Sequence, residues 1–134
     1  MPEKRTIQRA QQDARQGKAP GTQAGEFVRE EIEHIREGKH GARLAKQAIA
    51  IGLSKARRAG VKLAPPKSGT TSKRTRQQAK RDSAKGRSSG AKKPSAKRSR
   101  ATLAALKKEG HSAASHAALS KQARSAAARR ADSA

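Results

Sequence analysis

The sequence predicts an all-α protein: a small helix–turn–helix hairpin at about 22–63, followed by a largely extended basic tail with short Ala-rich helices. Two observations support this prediction. Apolar residues of the first half recur every three or four positions, which is typical of a helix with one buried face. Beyond Leu63 the only large apolar residues are Leu103, Leu106 and Leu119, so the second half has little material for a core.

The first helix is predicted over residues 3–16, after Pro2 and before Gly17. Its residues are helix formers, but almost none of them is apolar. We therefore expect this helix to fray when no ligand holds it.

The hairpin is predicted from two amphipathic helices, at 23–37 and 42–59, joined by a tight turn at 38–41. Thr22 is a plausible N-cap for the earlier helix, and Gly60 suits the left-handed residue that ends the later one. The buried stripes at helical spacing are Ala24, Phe27, Val28, Ile32 and Ile35, and then Ala45, Ala48, Ile49, Gly52, Leu53 and Ala56.

Residues 64–98 are rich in Lys, Arg, Ser, Gly and Pro, and this composition predicts disorder in the absence of a ligand. Residues 73–85 are expected to become helical on binding. Ser99 is predicted to cap a helix over 100–109, and Ser112 one over 113–131. The predicted organisation is a helical unit at 3–63, a linker at 64–72 and a basic, partly disordered region at 73–134.

Two segments of the chain resemble each other, RTIQRAQQDARQG at 5–17 and RTRQQAKRDSAKG at 74–86. Six identities lie at one constant offset without a gap: Arg5/Arg74, Thr6/Thr75, Gln8/Gln77, Ala10/Ala79, Asp13/Asp82 and Gly17/Gly86. This pattern predicts a degenerate tandem duplication, with 3–63 as one copy and 72–134 as the other. Two similar units on one chain would gain avidity for a repetitive ligand.

The charge indicates the class of ligand. The chain has 33 Lys and Arg against 10 Asp and Glu, a net charge of +23 on 134 residues. Such a chain repels itself and is stabilised by a polyanion, and nucleic acid is the abundant intracellular one. With one Phe and no Trp or Tyr, the chain lacks the aromatic platforms that stack on single strands, which favours a duplex.

The predicted nucleic-acid contacts lie on the third helix and along the tail. Arg43, Lys46 and Gln47 stand at the start of that helix, where they would face bases if it entered a major groove. We favour phosphate contacts without base readout, because Gln47 is the only amide on this face that suits a base. The full predicted set is Arg43, Lys46, Gln47, Lys55, Arg57, Arg58, Lys73, Arg74, Arg76, Lys80, Arg81, Lys92, Lys93, Lys97, Arg98, Arg100, Lys121 and Arg124.

The leading hypothesis is a non-enzymatic, nucleoid-associated protein of the cytoplasm that binds double-stranded DNA through its phosphates and bridges or compacts duplexes. One alternative is a ribosome- or RNA-associated structural protein. Another is an interaction module that binds a protein partner through the acidic face of the second helix, at Glu26, Glu30, Glu33 and Glu37. The sequence leaves the oligomeric state open.

Other classes of function have no support in the sequence. No nucleophile elbow, catalytic triad or phosphate-binding Gly-rich loop is present, so we expect neither catalysis nor a cofactor. The four histidines, His34, His40, His111 and His116, lack a metal-binding spacing, and there is no cysteine, so no metal site is predicted. No segment has the apolar run of a membrane span, so we expect no membrane partner.

One block of the sequence carries a family resemblance. Residues 39–43 (KHGAR) and 46–61 (KQAIAIGLSKARRAGV) resemble a small bacterial protein family of unknown function. The resemblance covers about 3–63, and members of that family join the hairpin to Lys/Ala-rich tails similar to those of bacterial linker-histone-like proteins. It implies a bacterial, nucleoid-type setting and no established activity.

Overall fold

The computed structural model describes residues 2–67, 71–87 and 95–132, and within these ranges the protein is all-α, as predicted. No strand occurs among the described residues. The helices are α1 (Lys4–Arg15), α2 (Pro20–Arg36), α3 (Ala45–Arg58), α4 (Lys73–Arg87), α5 (Ala96–Lys107) and α6 (His116–Asp132), with a 3-10 turn at Ser112–Ala114 before α6.

The chain forms two compact units whose boundaries lie inside helices. Unit 1 comprises Met1–Glu30 and Ala50–Lys93, and unit 2 comprises Glu31–Ile49 and Pro94–Ala134. Because α2 and α3 each continue from one unit into the other, the predicted hairpin contributes to both of them.

Three helices end in the same C-terminal motif. Gly17, Gly38 and Gly60 have φ values of 75°, 79° and 102°, which glycine adopts without steric cost. The residue after each glycine donates its backbone N–H to a carbonyl five positions earlier, as Val61 does to Ala56 at 3.1 Å. This is the Schellman arrangement predicted at Gly60.

Two helix starts differ from the prediction. Helix α2 begins at Pro20 rather than after Thr22, because proline suits the first position of a helix. Helix α3 begins at Ala45 rather than at residue 42, because a backbone hydrogen bond from Ala42 N to Gly110 O (3.1 Å) holds the preceding segment outside the helix.

The described part of the tail is helical at Lys73–Arg87, Ala96–Lys107 and His116–Asp132, where the sequence predicted helices over 73–85 on binding, 100–109 and 113–131. Ser72 Oγ accepts from Thr75 N at 3.2 Å and caps α4. Ser95, not Ser99, caps α5, and Ser115 rather than Ser112 bonds to the first turn of α6. Each capping serine lies immediately before its helix, where the first N–H groups have no partner within the helix.

The core of unit 1 forms around the one aromatic side chain. Phe27 is 1% exposed, and its buried partners are mostly small: Ala10, Ala24, Ala56 and Val61, with Ile7, Leu53 and Leu63 packed against them. Helix α1 contributes Ile7 and Ala10 to this cluster, so it is held by packing that its composition did not reveal.

The core of unit 2 is thinner. It contains Ile35, Ala42, Ala48, Ala113 and Ala114, with Ile32 packed against them. Since alanine buries little area, the hydrophobic stabilisation of this unit is small.

Helices α1 and α4 also bury polar side chains. Asp13 is 6% exposed and lies 3.3 Å from Lys18 Nζ. Asp82 is 2% exposed, accepts a hydrogen bond from Gln78 Nε2 at 3.1 Å and lies 3.7 Å from Arg58 Nε. Both carboxylates therefore act as buried countercharges to neighbouring cations.

The two similar segments share part of this burial pattern. Ala10 and Asp13 are buried, and so are the matching Ala79 and Asp82, whereas Thr6 is buried and Thr75 is exposed. The duplication stays a prediction.

Close approach of α2 and α3 in unit 1 depends on Gly52. A Cβ at this position would lie 2.6 Å from Val28 Cα, so any side chain would force the helices apart. We expect Gly52→Ala to lower the free energy of unfolding by about 1–3 kcal/mol through overpacking. Urea unfolding followed by circular dichroism measures this.

Gly25 is the matched control, because it lies in α2, is exposed and offers open space, with no atom within 4 Å of where a Cβ would stand. Gly25→Ala should raise stability by about 0.5–1 kcal/mol, as alanine is the better helix former. Equal stabilisation by both substitutions would contradict the close packing at Gly52.

Replacement of Asp82 tests the buried countercharge. We expect Asp82→Asn to cost about 1–3 kcal/mol of unfolding free energy, because it removes the negative charge 3.7 Å from Arg58 Nε and buries an amide N–H group in place of Oδ2, which has no hydrogen-bond partner. Glu37→Gln is the control: Glu37 is exposed, so its change should stay within about 0.5 kcal/mol. Indistinguishable stabilities of the two variants would show that Asp82 contributes nothing as a countercharge.

Candidate nucleic-acid interface

Acidic side chains are largely withdrawn from the surface. Four are buried: Asp13, Glu30, Glu31 and Asp82. Glu3, Glu26, Glu33 and Glu109 are half-buried. Among the acidic residues whose burial the structure describes, only Glu37 is exposed. The surface is therefore more positive than the composition alone implies.

Basic side chains are distributed in the opposite way. In the described ranges all but four Lys and Arg residues are exposed. Arg9, Lys55 and Arg76 are half-buried, and Arg57 is buried. Cations thus form most of the charge that a ligand approaching either unit would meet.

Helix α4 shows this segregation most clearly. Its inner side carries the buried Ala79 and Asp82, with Ser83 and Gly86 half-buried beside them. Its outer side carries an exposed row of cations, here called the α4 stripe: Lys73, Arg74, Lys80, Arg81, Lys85 and Arg87. At 3.6 residues per turn these positions fall on one broad face of the helix.

Arg57 was predicted to contact nucleic acid, but its side chain is buried and its guanidinium is engaged within the protein. Arg57 is 7% exposed, and its guanidinium donates to Leu63 O (Nε, 3.4 Å) and to Ala64 O (Nη2, 2.9 Å). Burial lowers the pKa of Arg57, and the negative charge of Asp82 opposes that shift. The side chain therefore fixes the segment after α3 rather than binding phosphate.

Arg76, which lies on α4, also binds a backbone carbonyl of the segment that follows α3. It is half-buried, and its Nε donates to Pro66 O at 2.9 Å. With Arg57 it holds the backbone of residues 63–66 in place. Sequence reasoning did not distinguish these two arginines from exposed ones, because their partners are backbone carbonyls that no pattern of side chains reveals.

The segment fixed in this way borders a groove of unit 1. The groove has a volume of about 470 Å³ and lies between α4 and the segment that follows α3. Its exposed cations are Lys62, Lys80 and Arg87. Lys62 and Arg87 were not predicted. Arg87 follows Lys73 and Lys80 at intervals of seven residues, and this helical phase was the signal that could have identified it.

The predicted basic face of α3 is divided between the two units. Arg43, Lys46 and Gln47 belong to unit 2, whereas Lys55 and Arg58 belong to unit 1. Gln47 Oε1 accepts from Arg43 N at 2.7 Å, so the amide serves the start of the helix. A bidentate contact with adenine requires both atoms of that amide, and this geometry does not favour base readout.

The other predicted cations of the tail are exposed. Lys97, Arg98 and Arg100 lie on α5, and Lys121 and Arg124 lie on α6. These five belong to unit 2, whereas Lys73, Arg74, Lys80 and Arg81 belong to unit 1. Lys92 and Lys93 lie outside the described residues.

The acidic face predicted on α2 does not form a continuous surface. Glu30 is 4% exposed, and its Oε1 accepts from Glu3 N at 2.6 Å. Glu26 and Glu33 are half-buried, and only Glu37 is exposed. The predicted protein-binding surface therefore lacks Glu30, and protein binding by this face stays a prediction.

The comparisons with known proteins give a family likeness without an activity. No helix among the described residues is long and apolar enough to cross a membrane. No curated protein and no solved structure matches the chain. Residues 15–68, which contain α2 and α3, match a family described as a family of unknown function (DUF6496).

Proposed function

We propose that this protein is a non-enzymatic, nucleoid-associated DNA-binding protein that binds the phosphate backbone of duplexes with little sequence specificity. The observation that carries the proposal is the segregation of charge: among the residues whose burial is described, all carboxylates but Glu37 are buried or half-buried, whereas almost all cations are exposed. A predominantly positive surface in a chain of net charge +23 attracts polyanions and releases their counterions on binding.

The α4 stripe is the proposed principal contact of unit 1. Lys73, Lys80 and Arg87 recur every seven residues, which places successive cations about 10 Å apart along the helix. Lysines of the stripe supply point charges to phosphates, and arginines supply bidentate hydrogen bonds. The groove beside the stripe adds Lys62.

Two further observations favour duplex backbone over base readout or single strands. Phe27, the single aromatic residue other than histidine, is 1% exposed in the core and is unavailable for base stacking. Gln47 is engaged with the backbone of Arg43. Each unit also carries its own exposed cations, which is what the bridging of two duplexes requires.

Double-stranded DNA and double-stranded RNA of matched sequence distinguish the proposed function from the RNA-binding alternative. If the protein contacts about 6–10 phosphates, raising the salt from 50 to 200 mM should weaken DNA binding by roughly 10³–10⁵-fold. Fluorescence anisotropy with the full chain measures this. A salt-insensitive affinity would contradict backbone binding, and a clear RNA preference at physiological salt would replace DNA as the ligand.

Three substitutions in the α4 stripe locate the interface. We expect the triple variant Lys73→Gln, Lys80→Gln, Arg81→Gln to reduce the slope of log affinity against log salt by about 2.7, because each lost phosphate contact contributes about 0.9. The loss should be similar for unrelated DNA sequences, since phosphates carry no sequence information.

A matched control removes the same charge from α1, through Lys4→Gln, Arg5→Gln and Arg15→Gln. All three residues are exposed, and none belongs to the α4 stripe. The control should change the slope by less than half as much. Equal changes in both variants would show that the contacts are spread over unit 1 rather than concentrated on α4.

A further inference from the structure

Unit 2 brings together three side chains of a kind that bind metals. Glu31 and His34 lie one turn apart on α2, and His40 lies in the loop before α3. One ligand atom from each, a carboxylate oxygen and two imidazole nitrogens, lies within 4.8 Å of the others. We propose that Glu31, His34 and His40 form a binding site for a divalent transition-metal cation, with Zn²⁺ as the expected ion.

The helix places two of the ligands on one face. Residues three apart on a helix are surface neighbours, and a Glu-x-x-His pair at this spacing supplies metal ligands in helical bundles. Glu31 is fully buried and His34 is half-buried. The pair thus combines a carboxylate within the protein and an imidazole that solvent reaches, which leaves a path for an ion.

Long-range backbone contacts position the third ligand. Gly38 reverses the chain with a φ of 79°, and Gly41 N donates to Leu106 O at 2.8 Å. A Cβ on Gly41 would overlap the backbone at Glu109, so only glycine permits this approach. The loop is therefore held on both sides of His40, which is 7% exposed.

The orientation of the His40 ring matches that of a metal ligand. Its Nδ1 lies 2.9 Å from Gly41 O, and its Nε2 lies 3.2 Å from Glu31 Oε2. Metal-binding histidines typically donate the proton of one ring nitrogen to a backbone carbonyl and coordinate through the other. With Nδ1–H donated to Gly41, the lone pair of Nε2 faces Glu31, and a cation between them would be bound by both side chains.

The remaining distances are compatible with coordination. Ligand atoms about 2.0–2.2 Å from a tetrahedral Zn²⁺ lie about 3.3 Å from each other, and the Glu31–His40 pair is already 3.2 Å apart. The rings of His34 and His40 have centroids 6.1 Å apart and are nearly perpendicular, at 84°. Two imidazoles and one carboxylate form a donor set that suits zinc and leaves a fourth position for water.

The site would be structural in effect. The core of unit 2 consists mainly of alanines, and a metal held by these ligands would cross-link the end of α2 to the loop before α3. Because metal binding to the folded state adds to its stability, the ion would supply what the thin core lacks.

The test uses the metal-free full chain titrated with Zn²⁺ in the absence of nucleic acid. We expect one ion to bind per chain by calorimetry and the melting temperature to rise. Co²⁺ should give the intense visible absorption of a tetrahedral site. Absence of Zn²⁺ binding in the intact chain would overturn the proposal and leave only a hydrogen bond between Glu31 and His40.

Substitutions assign the ligands. We expect His34→Ala and His40→Ala each to weaken Zn²⁺ binding at least about 10-fold, because even outer-sphere changes cost that much. His116→Ala is the control, since His116 is exposed in the same unit and lies outside the cluster. If His40→Ala fails to fold, His34→Ala decides the question. Wild-type affinity in His34→Ala, or an equal loss in His116→Ala, would contradict the site.

Discussion

Helices with this density of positive charge repel each other, and carboxylates buried on their inner sides reduce that repulsion. Asp13 and Asp82 lie on the inner sides of α1 and α4, next to Lys18 and Arg58. A buried charge is costly unless it is compensated, so each carboxylate both requires and stabilises a neighbouring cation. The buried carboxylates of this chain are therefore structural, and their burial makes the surface more cationic than the excess of Lys and Arg alone would.

Small residues also allow these helices and loops to pack closely. The cores consist largely of alanine, and backbones approach closely at Gly52 in unit 1 and at Gly41 in unit 2. Such contacts bury little apolar area per residue, but they are specific, because a single methyl group at either glycine would collide with a neighbouring backbone. Specificity of packing here depends on the absence of side chains more than on their complementarity.

The sequence predicted the approximate positions of the helices, but it identified the buried face of a helix only where that face carries large apolar residues. The stripe from Ala24 to Ile35 identified α2, whereas the inner face of α4 consists of Ala79 and Asp82, which hydrophobic periodicity does not detect. Exposure of most predicted cations follows from their chemistry. The burial of Arg57 could not be predicted, because its partners are backbone carbonyls of a loop. The juxtaposition of His40 with Glu31 could not be predicted either, because it depends on backbone contacts between segments distant in sequence.

Salt has opposite effects on the stability of this protein and on its attraction to a polyanion. The same contrast between stability and affinity distinguishes cations that would bind the ligand from cations that hold the fold. Screening reduces repulsion among the exposed cations and so favours the free fold, while it weakens attraction to a polyanion. Loss of a charge from the α4 stripe relieves repulsion and, under the proposed function, removes a phosphate contact, so stability and affinity should change in opposite directions. Loss of Arg57 instead releases the backbone of Leu63 and Ala64, which lowers stability and affinity together. The direction of the two changes thus assigns each cation its role without any knowledge of the bound geometry.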